Sequence, residues 1–328
     1  MRICVAGGAG YIGSHTVHHL VAQGHEIVVL DNLATGHRES VPPQATFLHG
    51  DVADPQAARR ALRGCRAAVY LAALKAAGES MLEPAKYARA NLSGTLAFLE
   101  ACLDEGVEFV IFSSSAAVYG APAYLPIDEK HPTVPENFYG YTKLEIEHVL
   151  AWYSRLKGLK SASLRYFNAA GYDPAGIVSG LELNPANLIP IVMEVACGVR
   201  KELQIFGGDY PTPDGTCIRD YIHVTDLARG HALALDYLEK GGETFSVNLG
   251  TGNGHSVLEV AEAARRITGR PIAARIVDRR AGDPAELWAS SARAKELLGW
   301  EACHSSIEEI LETTWKAYGK NGVGNICR

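Results

Sequence analysis

The chain has 328 residues, 47% of them hydrophobic and 21% charged, and a formal net charge of −6. This balance suits a large core in one or two domains and carries no basic footprint for nucleic acid, and no apolar run reaches the roughly 18 residues a membrane helix needs. The chain enters Arg2-Ile3-Cys4-Val5-Ala6 directly, with no signal peptide expected, and its seven cysteines include no C-x-x-C, so reduced thiols and a cytoplasmic location are expected.

Residues 2–6 read as a short strand that runs into Gly7-Gly8-Ala9-Gly10-Tyr11-Ile12-Gly13. An amphipathic helix is expected over 14–23 and a second strand over 26–30, closing on Asp31. Strand, glycine loop, helix, strand and acid make up a dinucleotide-binding unit. The glycines let the backbone turn tightly and approach a pyrophosphate, which sits on the helix N-terminus. Asp31 follows Gly13 by eighteen residues, where its carboxylate can accept from both ribose hydroxyls and would repel a 2′-phosphate. NAD is therefore expected rather than NADP. His15, His18 and His19 can share a helix face, but no carboxylate or cysteine stands at ligand spacing, so no metal is expected.

The alternation continues, with strands expected over 46–49, 67–71, 108–112 and 161–166 and helices over 55–62, 84–105 and 139–157. Repeated βα units predict a parallel sheet with helices on both faces, a Rossmann-like doubly wound α/β fold that binds ligands beyond the strands' carboxyl ends. The glycine loop, Asp31, Asp51, Lys75, Ser115 and Tyr166 all fall at such ends. The helix over 139–157 opens on Tyr139-Gly140-Tyr141-Thr142-Lys143, and residues four apart share a helix face. A free phenol ionises near ~10, and a lysine ammonium beside it lowers that value. Tyr139 and Lys143 thus read as a general base for a sugar or alcohol hydroxyl. Ser115, the last of Ser113-Ser114-Ser115, can bond the same hydroxyl.

Past Asn168 the pattern changes. Residues 169–186 read as loop, followed by a helix over 187–198, a strand over 203–206, a turn-rich stretch over 207–216 and a strand-like run over 219–224. Thr225 is expected to cap a helix over 226–239. Strands over 245–249 and 272–276 and helices over 256–268, 292–298 and 305–318 complete the chain. The expected division is an NAD-binding domain over 1–168, to which 218–249 returns, and a smaller α/β C-terminal substrate domain over 169–217 and 250–318. Residues 319–328 read as a frayed tail.

With these residues in view, the chain resembles the extended short-chain dehydrogenase/reductases, and among them those that epimerise UDP-sugars at C4. The resemblance runs from Arg2 to about Tyr318. It is most specific over 7–16, Leu74-Lys75-Ala76-Ala77-Gly78-Glu79-Ser80, 113–120, Tyr166-Phe167-Asn168, 206–224 and 279–283. It implies reversible, NAD-dependent 4-epimerisation of UDP-glucose and UDP-galactose through a 4-keto intermediate, with the N-acetyl UDP-hexosamines as weaker substrates. It further implies a homodimer built through the helices over 84–105 and 139–157. In this chemistry Tyr139 removes the proton of the 4-hydroxyl, Lys143 holds the nicotinamide ribose and lowers the Tyr139 pKa, and Ser115 bonds the 4-oxygen.

The same resemblance implies NAD contacts from Gly7, Gly10, Tyr11, Ile12 and Gly13, from Asp31, Asn32, Asp51 and Val52, and from Leu71, Ala72, Lys75 and Asn91. Ser113, Tyr139, Lys143, Tyr166 and Phe167 close that set. The UDP-sugar would meet Lys75, Ser115, Tyr139, Asn168, Asn187 and Leu188, then Phe206, Arg219, Tyr221, Arg280, Asp283 and Leu287. Arg219 and Arg280 suit a pyrophosphate because guanidinium binds it bidentately. Two positions depart from the pattern: Ala117 stands where threonine is common, and Leu287 where several relatives carry tyrosine near the sugar C2 substituent.

Other activities on this scaffold fit less well. A nucleotide-sugar dehydratase needs an acid–base pair after the serine, where this chain has Ala116 and Ala117. A 4-epimerase for UDP-glucuronate needs a cation for the C6 carboxylate, and none can be placed. A non-catalytic NAD sensor would have no use for Ser115, Tyr139 and Lys143 together.

Overall fold

The computed structural model describes residues 1–178, 180–182, 185–280 and 283–320. Its central sheet has seven parallel strands: β1 (Arg2–Ala6), β2 (Glu26–Asp31), β3 (Thr46–His49), β4 (Ala67–Tyr70), β5 (Phe109–Ser115), β6 (Lys160–Tyr166) and the strand Phe245–Leu249. They lie in the order Phe245–Leu249, β6, β5, β4, β1, β2, β3. Successive side chains leave a strand on opposite faces. Ile3 and Val5, with Val29, Ile111 and Leu164, pack on helix α1 (Tyr11–Ala22) and on the helix Val224–Glu239 through Val17, Leu20, Leu227 and Leu235. Cys4 and Ala6, with Val28, Tyr70, Val110 and Phe112, pack on the other face against Leu62, Phe98, Ile146 and Leu150. Both faces are covered, which is why these strands read as apolar runs rather than as alternating patterns.

The strand order reverses between β1 and β4, and a crevice opens there beyond the carboxyl ends. A third core, around Val192, Val260 and Ile310, joins the helices Leu188–Ala196, Val257–Thr268 and Ile307–Lys320. Beside it Leu203–Phe206 pairs in parallel with Ala274–Val277.

Several elements differ from the sequence expectation, each for a local reason. Helix α1 begins at Tyr11 rather than residue 14, so its first turn lies inside the glycine loop. The helix expected over 84–105 is interrupted by a π-helical turn, Ala88–Ser93, between Pro84–Tyr87 and Gly94–Asp104. Such turns concentrate at functional sites, and this one carries the buried Asn91. The run over 219–224 is split into Ile218–Arg219 and Tyr221–His223. Between them, the fully buried Asp220 carboxylate accepts from the amides of Thr251 and Ala289 and from the Thr251 hydroxyl. The following helix starts at Val224, and its cap is His223, whose Nδ1 accepts from the Thr225 amide at 3.1 Å, not the Thr225 hydroxyl. Of the tail expected over 319–328, Gly319 and Lys320 continue the helix Ile307–Lys320, and residues 321–328 lie outside the described residues, as do Ala281 and Gly282 of the 279–283 motif.

Candidate active site

The glycine loop leaves β1 and returns as α1. A Cβ on Gly7 would lie 2.7 Å from the Ala72 amide nitrogen, and one on Gly13 would lie 2.1 Å from the Gly7 carbonyl oxygen. Gly10 caps α1 with no side-chain hydrogen bond, and the first intrahelical bond runs from the Ser14 amide to the Gly10 carbonyl. The amides ahead of Ser14 have no carbonyl one turn back. Ile12 and Gly13 line a cavity of about 300 Å³, together with Gly7, Gly10 and Tyr11. A backbone cradle closed to a Cβ at Gly7 and Gly13, at a helix start with no side-chain cap, fits the pyrophosphate of a dinucleotide.

The opposite wall comes from β4, β5, β6 and the helix Phe138–Lys157: Leu71 and Lys75, Ser113 and Ser115, Tyr166, Phe167 and Asn168, and Tyr139 and Lys143. Asn137 caps this helix by accepting from the Gly140 amide at 2.8 Å, and Ser80 Oγ accepts from the Tyr139 amide at 3.0 Å. Lys143 Nζ donates to the Ser113 carbonyl at 2.8 Å and lies 5.8 Å from the centre of the Tyr139 ring. The Ser113 hydroxyl is hydrogen-bonded to the Tyr166 hydroxyl. Burial raises the Tyr139 pKa, and a hydrogen bond with the Ser115 side chain works against that rise. Burial also brings Lys143 down to about 7, with the Glu147 carboxylate opposing it. The sequence reading expects a phenol lowered by Lys143. Here removal from water is the larger effect on both groups, and the opposing partner of the phenol is Ser115.

A second cavity of about 220 Å³ is lined by Leu188, Phe206, Arg219, Tyr221, Arg280 and Asp283. It shares Asn168 and Asn187 with the first. Arg219 is paired with Asp283 at 3.1 Å, and the Arg280 guanidinium stacks 4.4 Å from the Phe206 ring centre. Lys75 is paired across the first cavity's rim with Glu182 at 2.5 Å.

Seven expected contact residues line neither cavity. The Asp31 carboxylate accepts from the amides of Ala9 and Leu33, at 2.9 and 2.8 Å, and so ties the glycine loop to the end of β2. Asn32 Nδ2 donates to Asp51, and the other Asp51 oxygen accepts from the Ala53 amide. Val52 packs against the core beneath the sheet, and Ala72 presents its backbone to Gly7. Asn91 holds both the amide and the carbonyl of Leu74 at 2.9 Å and donates to Thr142 Oγ1 at 3.2 Å, so it positions the β4 loop from behind. Leu287 packs onto the cluster of Val118, Tyr119, Ile127 and Leu144, as Phe167 does. Thr35, Ala73 and Ala169 line the first cavity, and Gln204, Cys217 and Val257 the second, without having stood out in the sequence. Only Thr35, a hydroxyl four residues past the strand-end acid, carried a signal. His15, His18 and His19 go to separate partners: the Tyr11 carbonyl, the Ser40 carbonyl and the Gln23 side chain.

The fold and this cleft define an α/β enzyme built around a dinucleotide. The sequence pattern of the NAD dependent epimerase/dehydratase family matches residues 3–250. The UDP-glucose 4-epimerase of Halalkalibacterium halodurans is 48% identical over 317 residues, covering 96% of this chain and 95% of that one. The solved structure of the UDP-glucose 4-epimerase from Brucella ovis in complex with NAD superposes with a TM-score of 0.94 at 45% identity, over 97% of this chain and 98% of its own. That of the Bifidobacterium longum enzyme in complex with NAD+ and UDP gives 0.92 at 38%, over 99% and 100%. The chain belongs to the NAD dependent epimerase/dehydratase family, and within it to the UDP-glucose 4-epimerases.

Proposed function

We propose that the protein interconverts UDP-glucose and UDP-galactose by NAD-dependent epimerisation at C4 through a 4-keto sugar. The observation that carries this reading is one cleft in which Ser115, Tyr139 and Lys143 stand at one end and Phe206, Arg219 and Arg280 at the other, joined by Asn168 and Asn187. When bound, NAD supplies the acceptor and donor for the C4 hydride and a positive charge close to the phenol. Tyr139 takes the proton of the 4-hydroxyl and later returns it, and Ser115, which lines the cavity with Tyr139, holds the 4-oxygen. Lys143, fixed on the Ser113 carbonyl, orients the nicotinamide ribose. Arg219 and Arg280 grip the pyrophosphate, so the sugar can turn over while UDP stays anchored.

Mixing the purified protein with UDP-galactose, with no NAD added, should yield UDP-glucose. The supernatant of the denatured protein should contain NAD and not NADP. A requirement for stoichiometric NAD, or recovery of NADP, would make the protein a dehydrogenase instead.

The N-acetyl UDP-hexosamines are weaker substrates in this proposal, because Leu287 is smaller than the tyrosine several relatives carry and packs on the same apolar cluster as the cavity-lining Phe167. Leu287→Tyr should lower kcat/KM for UDP-N-acetylgalactosamine more than for UDP-galactose. One steric change of this kind shifts discrimination by about 1–3 kcal/mol. Measuring both substrates with both proteins tests it, and an unchanged ratio would remove Leu287 from the specificity of the pocket.

The proposal extends to a cytoplasmic homodimer with the nucleotide-sugar domain over 169–217 and 250–318. Tyr141, Trp152 and Leu156 are 42%, 57% and 68% exposed along one stripe of the helix Phe138–Lys157, which supports a helix-paired interface. Cys4, Cys65 and Cys102 lie buried as thiols beneath the sheet, which suits a reducing compartment. Among the described residues no helix is long and apolar enough to cross a membrane.

A further inference from the structure

Tyr139, Lys143 and Glu147 follow one another at four-residue steps along the helix Phe138–Lys157, so all three face the same way. Glu147 does not line the cofactor cavity. Its side chain is 6% exposed and is held from two strands at once. Ser114 Oγ donates to Oε1 at 2.5 Å, and Arg165 forks onto both oxygens, from Nε to Oε1 at 2.9 Å and from Nη2 to Oε2 at 2.5 Å. Ser114 and Arg165 are register partners in β5 and β6, so one carboxylate ties the helix to the carboxyl end of both strands. Arg165 Nη1 donates to the Tyr119 hydroxyl at 3.0 Å, which donates to Asn248 Oδ1 at 2.7 Å on the neighbouring strand. On either side of Ser114, the Ser113 carbonyl accepts from Lys143 and Ser115 lines the cavity with Tyr139.

A buried bidentate pair is costly to assemble and gives little net stability over an apolar pair of the same shape. Its placement is therefore better explained by what it holds. We propose that Glu147 is a positioning residue for the hydroxyl chemistry: it locks the three-serine end of β5 against the helix that carries Tyr139 and Lys143, and sets its carboxylate on the face of that helix one turn along from Lys143. The inference rests on the epimerase reading. The titratable groups around Lys143 are Tyr139 and Glu147 on its own helix, Arg165 and Tyr166 on β6, and Tyr11 and Lys75 across the cavity. Of these, Glu147 is the one that pulls the Lys143 pKa up against burial.

The test is Glu147→Gln, which keeps the shape and removes the charge. Wild-type epimerisation of UDP-galactose is measured first, and its absence would sink the epimerase reading itself rather than this inference. With wild-type activity in hand, the alkaline limb of the kcat profile should move about one pH unit down in the variant, so that kcat falls about tenfold at a pH above both limbs. KM for UDP-galactose should stay as it was. A folded variant with the wild-type alkaline limb overturns the role in charging Lys143, since a purely structural residue would leave that limb in place. Ser114→Ala covers the case in which Glu147→Gln does not fold, because it leaves the ion pair whole and removes one hydroxyl. It should lower kcat about threefold at unchanged KM and cofactor content, with the alkaline limb unmoved, and wild-type kcat would overturn the lock on β5.

Discussion

Tyr139→Phe should lose roughly 10²- to 10⁴-fold in kcat while the protein stays folded and keeps its NAD, the range for removing a general base. That loss corresponds to about 3–5 kcal/mol of transition-state stabilisation. The substitution removes one oxygen and little else. The Tyr139 amide would still donate to Ser80 Oγ, the Asn137 cap is untouched, and the ring would still pack beside the Lys143 ammonium. What disappears is the hydroxyl that stands in the cavity with Ser115 and carries the proton of the 4-hydroxyl in this proposal. Burial raises the pKa of that phenol, which favours returning the proton, and the Ser115 side chain works against that rise. Stopped assays of UDP-glucose formation, with cofactor content measured on the same preparation, decide it. Near wild-type turnover in the phenylalanine protein would move the base elsewhere.

What the sequence made legible was whatever repeats or sits at a strand end. The glycine loop is readable because each glycine answers a backbone approach, as at Gly7 against Ala72 and Gly13 against Gly7. Tyr139 and Lys143 are readable because one helical turn brings them together whatever the rest of the chain does. Contacts made across the fold were not readable. The Glu147–Arg165 pair joins residues on different elements, and in a sequence each looks like an ordinary solvated charge. The inward turn of Asn91 depends on one extra residue in a helix, and periodicity cannot locate that within a 22-residue apolar pattern. Asp31 shows the reverse case. Its place at the strand end was evident, but its two backbone partners were not, because they depend on how the loops at Ala9 and Leu33 fold back onto it. The Leu287 side chain lines neither cavity, and its place was not readable for a similar reason: its two-residue strand Glu286–Leu287 takes its register from Ile218–Arg219, not from its own neighbours.

Gly13→Ala should release the cofactor from the purified protein and lower its melting temperature by several degrees. Two effects oppose each other. Alanine gains about 1 kcal/mol over glycine inside a helix, and Gly13 lies in the first turn of α1. Against that, the new methyl would sit 2.1 Å from the Gly7 carbonyl oxygen, 2.8 Å from Gly8 Cα and 2.9 Å from the Gly7 carbonyl carbon. All three are backbone atoms of the loop that α1 must stay packed on, so no side chain can swing away, and helix and loop have to separate. Forced overpacking of this kind costs about 1–3 kcal/mol, which exceeds the helical gain. Because the displaced amides are those that line the cavity, the same separation should weaken the hold on NAD roughly 10- to 100-fold. Gly10→Ala provides the contrast. Its methyl would meet only the Gly7 carbonyl oxygen, at 3.3 Å, so the fold should tolerate it, while its place on the cavity wall should still cost cofactor affinity. Melting temperature and cofactor recovered on denaturation, measured for both variants, separate the two effects. A Gly13→Ala protein that keeps a full complement of NAD and its melting temperature would mean that the loop has more slack than a 2.1 Å approach allows.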